Sequence, residues 1–470
     1  MEHFDLCVIG SGTGNSIIDE AFADKKVALV EKSEIFGGTC LNRGCIPTKM
    51  YVKPADLAVA AAEAGRLGLT PATLTADWDA IRDRIFGRID AISAGGLDYR
   101  EGLDNVTVFH GEARFTGPRQ LKVGDQEFTA DQVVIATGSS SVVPDWINED
   151  HAEALAGLVH TSDSIMRIDE LPRQLIIVGG GYVGAEFAHI FSGLGVDVTM
   201  IHRGDLLLRG QDEAVRERFT ELLGKRVRIH LGQQVTGLVP GGDDDVAGGV
   251  RVLTTDDDEV EYDYDADLVL VAVGREPNLD LDLDKAGVEV AEGRIRVDAY
   301  QRTSADGVWA LGDVSSPWML KHVANHEGRI VHHNITHPDH LEPADHRFVP
   351  AAVFSDPQVA SVGLTEQQAR REGYDVVTGT TDYAATAYGW ALEDEGHFCK
   401  LVGDRDGRLL GGHIIGPDAS MLIQPIIEAL SFDLPLRRLA RGQYWIHPAL
   451  TEVVENALLA LQEASAEPRS

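Results

Sequence analysis

The chain has 470 residues, which is enough for two or three domains with separate hydrophobic cores. Its composition, 44% hydrophobic and 25% charged, is typical of a soluble globular protein. The formal net charge of −34 argues against a surface that binds nucleic acid or an anionic membrane, because such a field repels phosphate groups.

The sequence predicts no targeting or membrane segment. The hydrophobic pattern starts at Phe4 without a basic region before it, and no stretch approaches about 18 uninterrupted apolar residues. The chain has four cysteines, which are Cys7, Cys40, Cys45 and Cys399. Four are too few for a secreted disulfide framework in a chain of this length. We therefore expect a cytoplasmic protein, in which a disulfide would be catalytic rather than structural.

The first predicted unit is a strand, a glycine turn and a helix. The strand FDLCVIG runs into the turn, and the second strand VALVE ends at Glu31, which is placed to bind a ribose hydroxyl. The turn, which would hold a pyrophosphate on backbone N–H groups, contains Gly10, Gly12 and Gly14. Asn15 stands where a third motif glycine is expected, so the predicted helix start is slightly shifted.

A second unit repeats the same order from Gln174. The strand QLIIV is followed by a glycine turn, a helical stretch and the strand VDVTMIH; the turn contains Gly179, Gly181 and Gly184. Arg203 and Arg209 follow the second strand, where arginines suit a 2′-phosphate, so we predict NADPH here. The alternative is that both arginines only cover the surface. Two such motifs in register indicate dinucleotide binding far more strongly than one.

Each unit closes with an apolar strand that ends on glycine. These strands, DQVVIATG and ADLVLVAVG, contribute Thr137, Gly138 and Gly274. A later strand, VWALGDV, places Asp313 at the carboxyl ends of the strands, where it could hold a ribityl hydroxyl. The helix that follows would direct its positive end to the same crevice. His322 and His326 lie on it, but no third ligand is evident, and we predict no metal site.

The segment FGGTCLNRGCIPTK contains Cys40 and Cys45. Neither a plain strand nor a regular helix brings them to the Cα separation of a disulfide, but the turn-prone residues between them can form a bent loop. Pro47 suits the first turn of a following helix, and both the helix N-terminus and Lys49 favour the Cys45 thiolate. The spacing favours a redox-active pair; a structural bridge and a metal site remain alternatives.

A dithiol reaction needs an acid–base group, and the segment QYWIHPALTEVVENALLAL contains one. His447 lies just before a predicted helix that Pro448 can open, and Glu452 follows a turn later. A carboxylate near a histidine fixes its tautomer and raises its pKa, which makes it a competent proton shuttle. Alone, such a segment is more often a helix cap; with a dithiol and two nucleotide sites, catalysis is favoured.

With these motifs in order, the chain resembles the FAD-dependent pyridine nucleotide–disulfide oxidoreductases along essentially its whole length. The motifs that carry the resemblance are GGTCLNRGCIPTK, ATG, GGGYVGAEFA, AVGREPN, ALGDVS and the His447–Pro448 segment. The resemblance implies an α/β fold with two Rossmann-like domains, for FAD and NADPH, the second inserted in the first, and an α+β dimerisation domain. The expected boundaries are 1–150 and 274–345 for the FAD domain, 151–273 for the NAD(P)H domain and 346–470 for the interface domain.

The resemblance also implies roles for single residues. Cys45 would be the charge-transfer thiol beside the flavin, and Cys40 the interchange thiol that attacks the substrate disulfide. In a homodimer, His447 would complete the partner's active site and protonate the leaving thiol, oriented by Glu452. Lys49, paired with Glu186, would lie near the flavin. Glu31 would hold the adenosine ribose and Asp313 the ribityl chain, and Gly38 and Thr39 would also bind the cofactor.

The expected reaction transfers electrons from NADPH through FAD and the Cys40–Cys45 pair to a low-molecular-weight disulfide. Several stretches, among them GSGTGNSI, LKHVANHE, YGWALED and RGQYWIHP, resemble family members that reduce mycothione, the disulfide of mycothiol. The alternative substrates are glutathione disulfide, bis-γ-glutamylcystine and lipoamide. A thiol-based redox sensor is the non-enzyme alternative.

Overall fold

The computed structural model of the chain describes residues 1–147, 151, 153–241 and 249–466. Its strands are, in chain order, β1 (Glu2–Ile9), β2 (Val27–Glu31), β3 (Val106–His110), β4 (Ala113–Gly117), β5 (Gln120–Val123), β6 (Gln126–Ile135), β7 (Ser139–Ser141), β8 (Val159–His160), β9 (Gln174–Val178), β10 (Asp197–His202), β11 (Arg228–Leu231), β12 (Gln234–Pro240), β13 (Val250–Thr255), β14 (Glu261–Ala266), β15 (Leu268–Val271), β16 (Arg275–Pro277), β17 (Val290–Ala291), β18 (Arg294–Ile295), β19 (Val308–Ala310), β20 (Ala351–Val353), β21 (Val359–Gly363), β22 (Val376–Asp382), β23 (Phe398–Asp404) and β24 (Leu409–Ile415).

The α-helices are α1 (Gly38–Asn42), α2 (Cys45–Ala62), α3 (Trp78–Glu101), α4 (Tyr182–Gly193), α5 (Glu213–Leu223), α6 (Leu283–Ala286), α7 (Lys321–Thr336), α8 (Glu366–Arg371), α9 (Ala387–Ala391), α10 (Ala419–Leu422), α11 (Gln424–Ser431), α12 (Leu436–Arg441) and α13 (Thr451–Ala466). Within the described ranges, no helix has the length and apolar character needed to cross a membrane.

Two parallel arrangements form the two predicted nucleotide-binding units. Their first four strands follow the same order, whereas the fifth strand comes last in the chain in the first unit and first in the second. In the first, β3, β2, β1, β6 and β19 lie side by side; in the second, the order is β11, β10, β9, β15 and β8. The strand that precedes the glycine turn lies at the centre of each. Because β19 pairs with β6 after the chain has formed the second sheet, the second unit is inserted in the first.

The last part of the chain forms an antiparallel sheet in the order β20, β21, β24, β23, β22. Its strands β23 and β24 pair as an antiparallel hairpin, and α13 packs on β22 and β23. The α/β architecture with an α+β C-terminal part is therefore confirmed. The domain boundaries stay predictions, and the first falls beside residues 148–150 and 152, which lie outside the described ranges.

The first unit departs from prediction at the segment after its glycine turn. No regular α-helix forms there; two short 3₁₀ turns, Gly14–Ile17 and Glu20–Phe22, connect β1 to β2. Arg100 of α3 donates to the backbone carbonyls of Asn15 and Ile18 at 2.8 and 2.9 Å, and to the Asn15 side chain at 2.7 Å. These carbonyls are the acceptors an α-helix would need, so the prediction of a merely shifted helix start is wrong.

A buried ion-pair cluster joins the second unit to the C-terminal sheet. The Lys400 ammonium on β23 lies 2.8 Å from Asp212 and 2.7 Å from Glu366. Asp212, whose side chain is 0% exposed, also caps α5 and accepts a hydrogen bond from the backbone of Glu366. The cluster therefore fixes how the inserted unit sits on the C-terminal part.

We predict that Lys400→Met lowers the free energy of unfolding by about 3–5 kcal/mol, because it leaves the Asp212 carboxylate buried without its cation. Urea unfolding followed by circular dichroism measures the change. The control is Arg370→Met, which removes an exposed partner of the same Glu366 and should cost less than about 0.5 kcal/mol. Equal losses of unfolding free energy in the two variants would contradict a stabilising role of the buried ion-pair cluster.

Candidate active site

The two central cysteines lie on consecutive helices joined by a tight turn. Cys40 lies in α1, Arg43 and Gly44 form the turn, and Cys45 is the first residue of α2. The Asn42 side chain donates to the backbone carbonyls of Phe36 and Gly38 at 2.8 and 3.2 Å, which holds the loop closed. Both cysteines are free thiols in this structure. The predicted bent loop, and the helix that begins at Cys45, are confirmed.

The cysteine loop is seated directly on the first glycine turn. Gly38 has φ +76°, and a Cβ atom there would lie 2.6 Å from the Cα of Gly12, so only glycine permits this approach. The Gly37 N–H donates to the buried Ser11 hydroxyl at 2.8 Å, and this hydroxyl donates to Glu31 at 2.5 Å. Ser11 thus links the loop to the predicted ribose carboxylate. No sequence pattern predicts this role of Ser11, since serine in a glycine turn carries no distinct signal.

The two thiols have opposite protonation preferences. The hydrogen bond between the Cys40 and Cys45 side chains raises the pKa of Cys40 and lowers the pKa of Cys45 to about 7. The Lys49 ammonium also lowers the pKa of Cys45, whereas the Glu186 carboxylate opposes it. When the reduced pair loses one proton, the negative charge therefore lies on Cys45 and the remaining proton on Cys40.

Lys49 and Glu186 meet across the two nucleotide-binding units, as predicted from the resemblance. The Lys49 ammonium on α2 lies 2.8 and 2.7 Å from the two carboxylate oxygens of Glu186 on α4. Glu186 also accepts a hydrogen bond from the Phe354 N–H at 2.9 Å, and Lys49 lies over the Phe354 ring. Only 10% of the Glu186 side chain is exposed, so this ion pair fixes the helix that begins at Cys45.

The two glycine turns have equivalent geometry. A Cβ atom at Gly10 would lie 2.3 Å from the Ala136 carbonyl oxygen, and one at Gly179 would lie 2.3 Å from that of Ala272. A Cβ atom at Gly181, the N-cap of α4, would meet no atom within 4 Å, so the free N–H groups of this helix face open space. This cradle fits a dinucleotide pyrophosphate. The other predicted glycines, which lie in or beside the same two turns, are Gly12, Gly14 and Gly184.

The remaining predicted FAD residues converge at the carboxyl ends of the first sheet. Asp313 lies in a 3₁₀ turn after β19, and its carboxylate accepts a hydrogen bond from Ser139 at 2.6 Å. Thr137 donates to the backbone carbonyl of Asn278, and the Asn278 N–H donates to Gly138. Predicted residues placed elsewhere are Thr39, in α1 beside Cys40, and Gly274, whose carbonyl accepts from the N–H of Val142. Ser139 and Asn278 were not predicted as site residues, although Asn278 is the last residue of the AVGREPN motif.

Arg203 and Arg209 follow β10, at the edge of the second sheet that also carries the Gly179 turn. Both are exposed, and neither makes a hydrogen bond or ion pair with another described residue. The two arginines thus lie at the carboxyl end of β10, where they were predicted, and their role at a 2′-phosphate stays a prediction.

His447 and Glu452 form the predicted pair. The His447 Nδ1 atom lies 2.8 Å from the Glu452 carboxylate, and 71% of the His447 side chain is exposed. No hydrogen bond joins His447 to either active-site cysteine within the described part of the chain. The prediction that Pro448 opens the helix is wrong: α13 begins at Thr451, because the Glu452 N–H bonds three residues back, to Ala449.

The histidines considered as metal ligands have other partners. His322 contacts the Pro350 carbonyl at 2.9 Å, and His326 accepts a hydrogen bond from the Asp345 N–H at 3.1 Å. Among the residues that the structure describes, no group of three or more potential ligands could hold a metal ion.

The family follows from comparison with known proteins. Residues 4–328 match the family described as pyridine nucleotide-disulphide oxidoreductase, and residues 349–458 match its dimerisation domain. The chain belongs to this family. It is a disulfide oxidoreductase that uses FAD and NAD(P)H, and the dimerisation domain supports a homodimer.

Individual relatives cover nearly the whole chain. The chain is 50% identical to mycothione reductase of Mycobacterium tuberculosis, over 98% of this chain and 100% of that protein. It is 34% identical to dihydrolipoyl dehydrogenase of Mycobacterium bovis, over 98% of each. The HOCl-induced flavoprotein disulfide reductase RclA from Escherichia coli superimposes with a TM-score of 0.83 at 27% identity, over 97% of this chain and 99% of that chain.

In the reduced enzyme, we predict that alkylation of Cys45 slows about tenfold for each pH unit below its pKa, as the thiolate is protonated. Lys49→Met should move this profile to higher pH, and Glu186→Gln should move it to lower pH, because the two charges act on Cys45 with opposite sign. Iodoacetamide labelling with peptide mass spectrometry measures both. Lys53→Met, on the exposed side of the same helix, is the control. Shifts of the same sign would show that Lys49 and Glu186 act by structure, not charge.

Proposed function

We propose that the protein reduces mycothione to two molecules of mycothiol, with electrons from NADPH. The observation that carries this proposal is the 50% identity, over the full length of both chains, to a mycothione reductase. The identity to dihydrolipoyl dehydrogenases is 34%, which makes dihydrolipoamide oxidation the second candidate. The free Cys40–Cys45 pair, with a thiolate on one member and a proton on the other, supports thiol–disulfide exchange in either case.

We propose the following residues as the ones that would hold the cofactors. For FAD they are Gly10, Gly12, Gly14, Glu31, Gly38, Thr39, Thr137, Gly138 and Asp313. For NADPH they are Gly179, Gly181, Gly184, Arg203, Arg209 and Gly274. When bound, FAD supplies two-electron transfer between the nicotinamide and the cysteine pair. We also infer a cytoplasmic location, since four cysteines are too few for a secreted disulfide framework.

The thiol chemistry begins with removal of the Cys40 proton. Because the hydrogen bond to Cys45 raises the pKa of Cys40, this thiol needs a base, and His447 held by Glu452 is the proposed one. The Cys40 thiolate attacks one sulfur atom of the substrate disulfide; a Cys40–substrate disulfide forms, the substrate S–S bond breaks, and the leaving thiolate takes the proton from His447.

The Cys45 thiolate completes the exchange. It attacks the Cys40 sulfur, so the Cys40–Cys45 disulfide forms, the mixed disulfide breaks and the second substrate thiolate leaves. In the mixed disulfide Cys40 has no S–H and no longer donates to Cys45; the Lys49 ammonium, which also lowers the pKa of Cys45, then favours its thiolate without a second base.

His447 is proposed to act on the partner subunit's cysteines. It has no described contact with Cys40 or Cys45 of its own chain, and its ring is largely exposed. Two apolar neighbours, Tyr444 and Ile446, are 104% and 75% exposed, which is unusual for such side chains unless a second subunit covers them. This segment lies within the matched dimerisation domain.

The substrate is tested by steady-state kinetics with mycothione, glutathione disulfide, bis-γ-glutamylcystine and lipoamide, each with NADPH and with NADH. We expect the highest kcat/KM for mycothione with NADPH. A higher value for lipoamide with NADH would replace the proposal by the second candidate.

We predict that His447→Ala lowers kcat for disulfide reduction about 10²–10⁴-fold, the usual contribution of general acid–base catalysis, and leaves reduction of the enzyme by NADPH unchanged. Stopped-flow measurement of the two half-reactions separates these effects. Equal loss in both would refute the proton role.

Co-expression of the His447→Ala and Cys40→Ser chains tests whether His447 acts on the partner. A mixed dimer then has one intact site if His447 works across the interface, and activity returns. If His447 worked within its own chain, every site of the mixed dimer would stay defective.

We predict that replacing Arg203 and Arg209 by leucine raises KM for NADPH about tenfold or more, because charge-assisted hydrogen bonds to the 2′-phosphate are lost, with little change for NADH. The control is Arg173→Leu. Arg173 is an exposed arginine just before β9, at the amino ends of the strands of the same sheet, away from the Gly179 turn. Parallel changes for both cofactors would mean that the two arginines do not read the 2′-phosphate.

A further inference from the structure

Lys321 is a lysine beside the redox centre to which the proposed mechanism gives no role. It is the first residue of α7 and is half-buried. Its ammonium donates to the Thr13 hydroxyl at 2.6 Å, within the first glycine turn. The adjacent Gly12 packs against Gly38, the first residue of the helix that contains Cys40. The glycine turn thus holds the Lys321 ammonium next to the cysteine loop.

The charge of Lys321 is not neutralised by a carboxylate. Among the residues that the structure describes, Lys321 forms no ion pair, and the first turn of α7 contains no acidic residue. Lys49, by contrast, is paired through both oxygens of Glu186. Burial lowers the pKa of Lys321, as expected for a cation without a counter-ion, while the two cysteines oppose this effect. Among the described residues around the cysteine pair, Lys321 is therefore a cation without a carboxylate partner.

The two lysines act mainly on different thiols, since Lys321 interacts more strongly with Cys40 than with Cys45. The charged groups that face the cysteine pair are Lys49 of α2, Glu186 of α4 and Lys321 of α7. The pKa of Cys40 is raised chiefly by its hydrogen bond to Cys45, and Lys321 is the charged side chain that opposes this rise. Lys49 instead acts on the pKa of Cys45. The positive end of α7 adds to the field of Lys321, since no side chain caps this helix.

We propose that Lys321 is the electrostatic partner of Cys40: its ammonium stabilises the Cys40 thiolate that attacks the substrate disulfide, as Lys49 stabilises the thiolate of Cys45. The inference rests on the proposed role of Cys40 as the attacking thiol. With this inference, each of the two attacking thiolates is stabilised by a different lysine. It also explains how a thiol that holds the shared proton in the resting dithiol can be deprotonated during turnover.

The test isolates Cys40 in the FAD-loaded Cys45→Ser enzyme and measures its alkylation by iodoacetamide against pH, with peptide mass spectrometry. In this background, Lys321→Met should move the profile to higher pH and slow alkylation at neutral pH about tenfold, the change for one pKa unit. Lys321→Arg keeps the charge and should stay close to the parent. Added salt should narrow the difference between the Met and parent enzymes, because it screens the field of the ammonium.

The matched comparison uses the Cys40→Ser enzyme, in which Cys45 is alone. There, Lys49→Met should slow Cys45 alkylation more than Lys321→Met does. Lys321→Gln replaces Lys321→Met if the latter does not retain FAD. The inference would be overturned if the pH profile of Cys40 alkylation were unchanged in Lys321→Met. It would also be overturned if Lys321→Arg slowed Cys40 alkylation as much as Lys321→Met does. The alkylation needs neither NADPH nor mycothione, so a wrong substrate assignment would leave its result unaffected.

Discussion

The structure depends on the seating of one loop between two nucleotide-binding units. On one side, Gly38 packs on Gly12 at a distance that excludes any side chain. On the other, Lys49 and Glu186 tie α2 to α4 through a mostly buried ion pair. An ion pair with one partner desolvated is costly if broken, so the two units are held in a fixed relation around the cysteines. The redox chemistry then needs little motion of the backbone.

The duplication of the glycine turn gives the chain two equivalent dinucleotide-binding turns, one on each parallel sheet. Each turn lies after the central strand of a parallel sheet, where open α/β sheets bind ligands. The copies diverge at the end of the second strand: Glu31 in the first, and Arg203 in the loop after β10 in the second. This divergence places a hydrogen-bond acceptor in one unit and free cations in the other.

Features set by local sequence were predictable. The strand VALVE, the helix that begins at Cys45 and both glycine turns lie where the pattern places them. Features set by distant side chains were not. Arg100 converts the segment after the first turn into 3₁₀ structure from 85 positions away, and Lys321 reaches Thr13 across 308 positions. Such contacts leave no periodic signal, because they depend on how the elements pack.

The central claim is that Cys40 meets the substrate and Cys45 resolves the mixed disulfide. The most direct measurement is mass spectrometry of the reduced Cys45→Ser enzyme after exposure to mycothione. In the Cys45→Ser enzyme we expect one mycothiol bound to the Cys40 peptide through a disulfide that dithiothreitol removes. In the Cys40→Ser enzyme we expect no such adduct on Cys45. A stable adduct on Cys45, with none on Cys40, would contradict it.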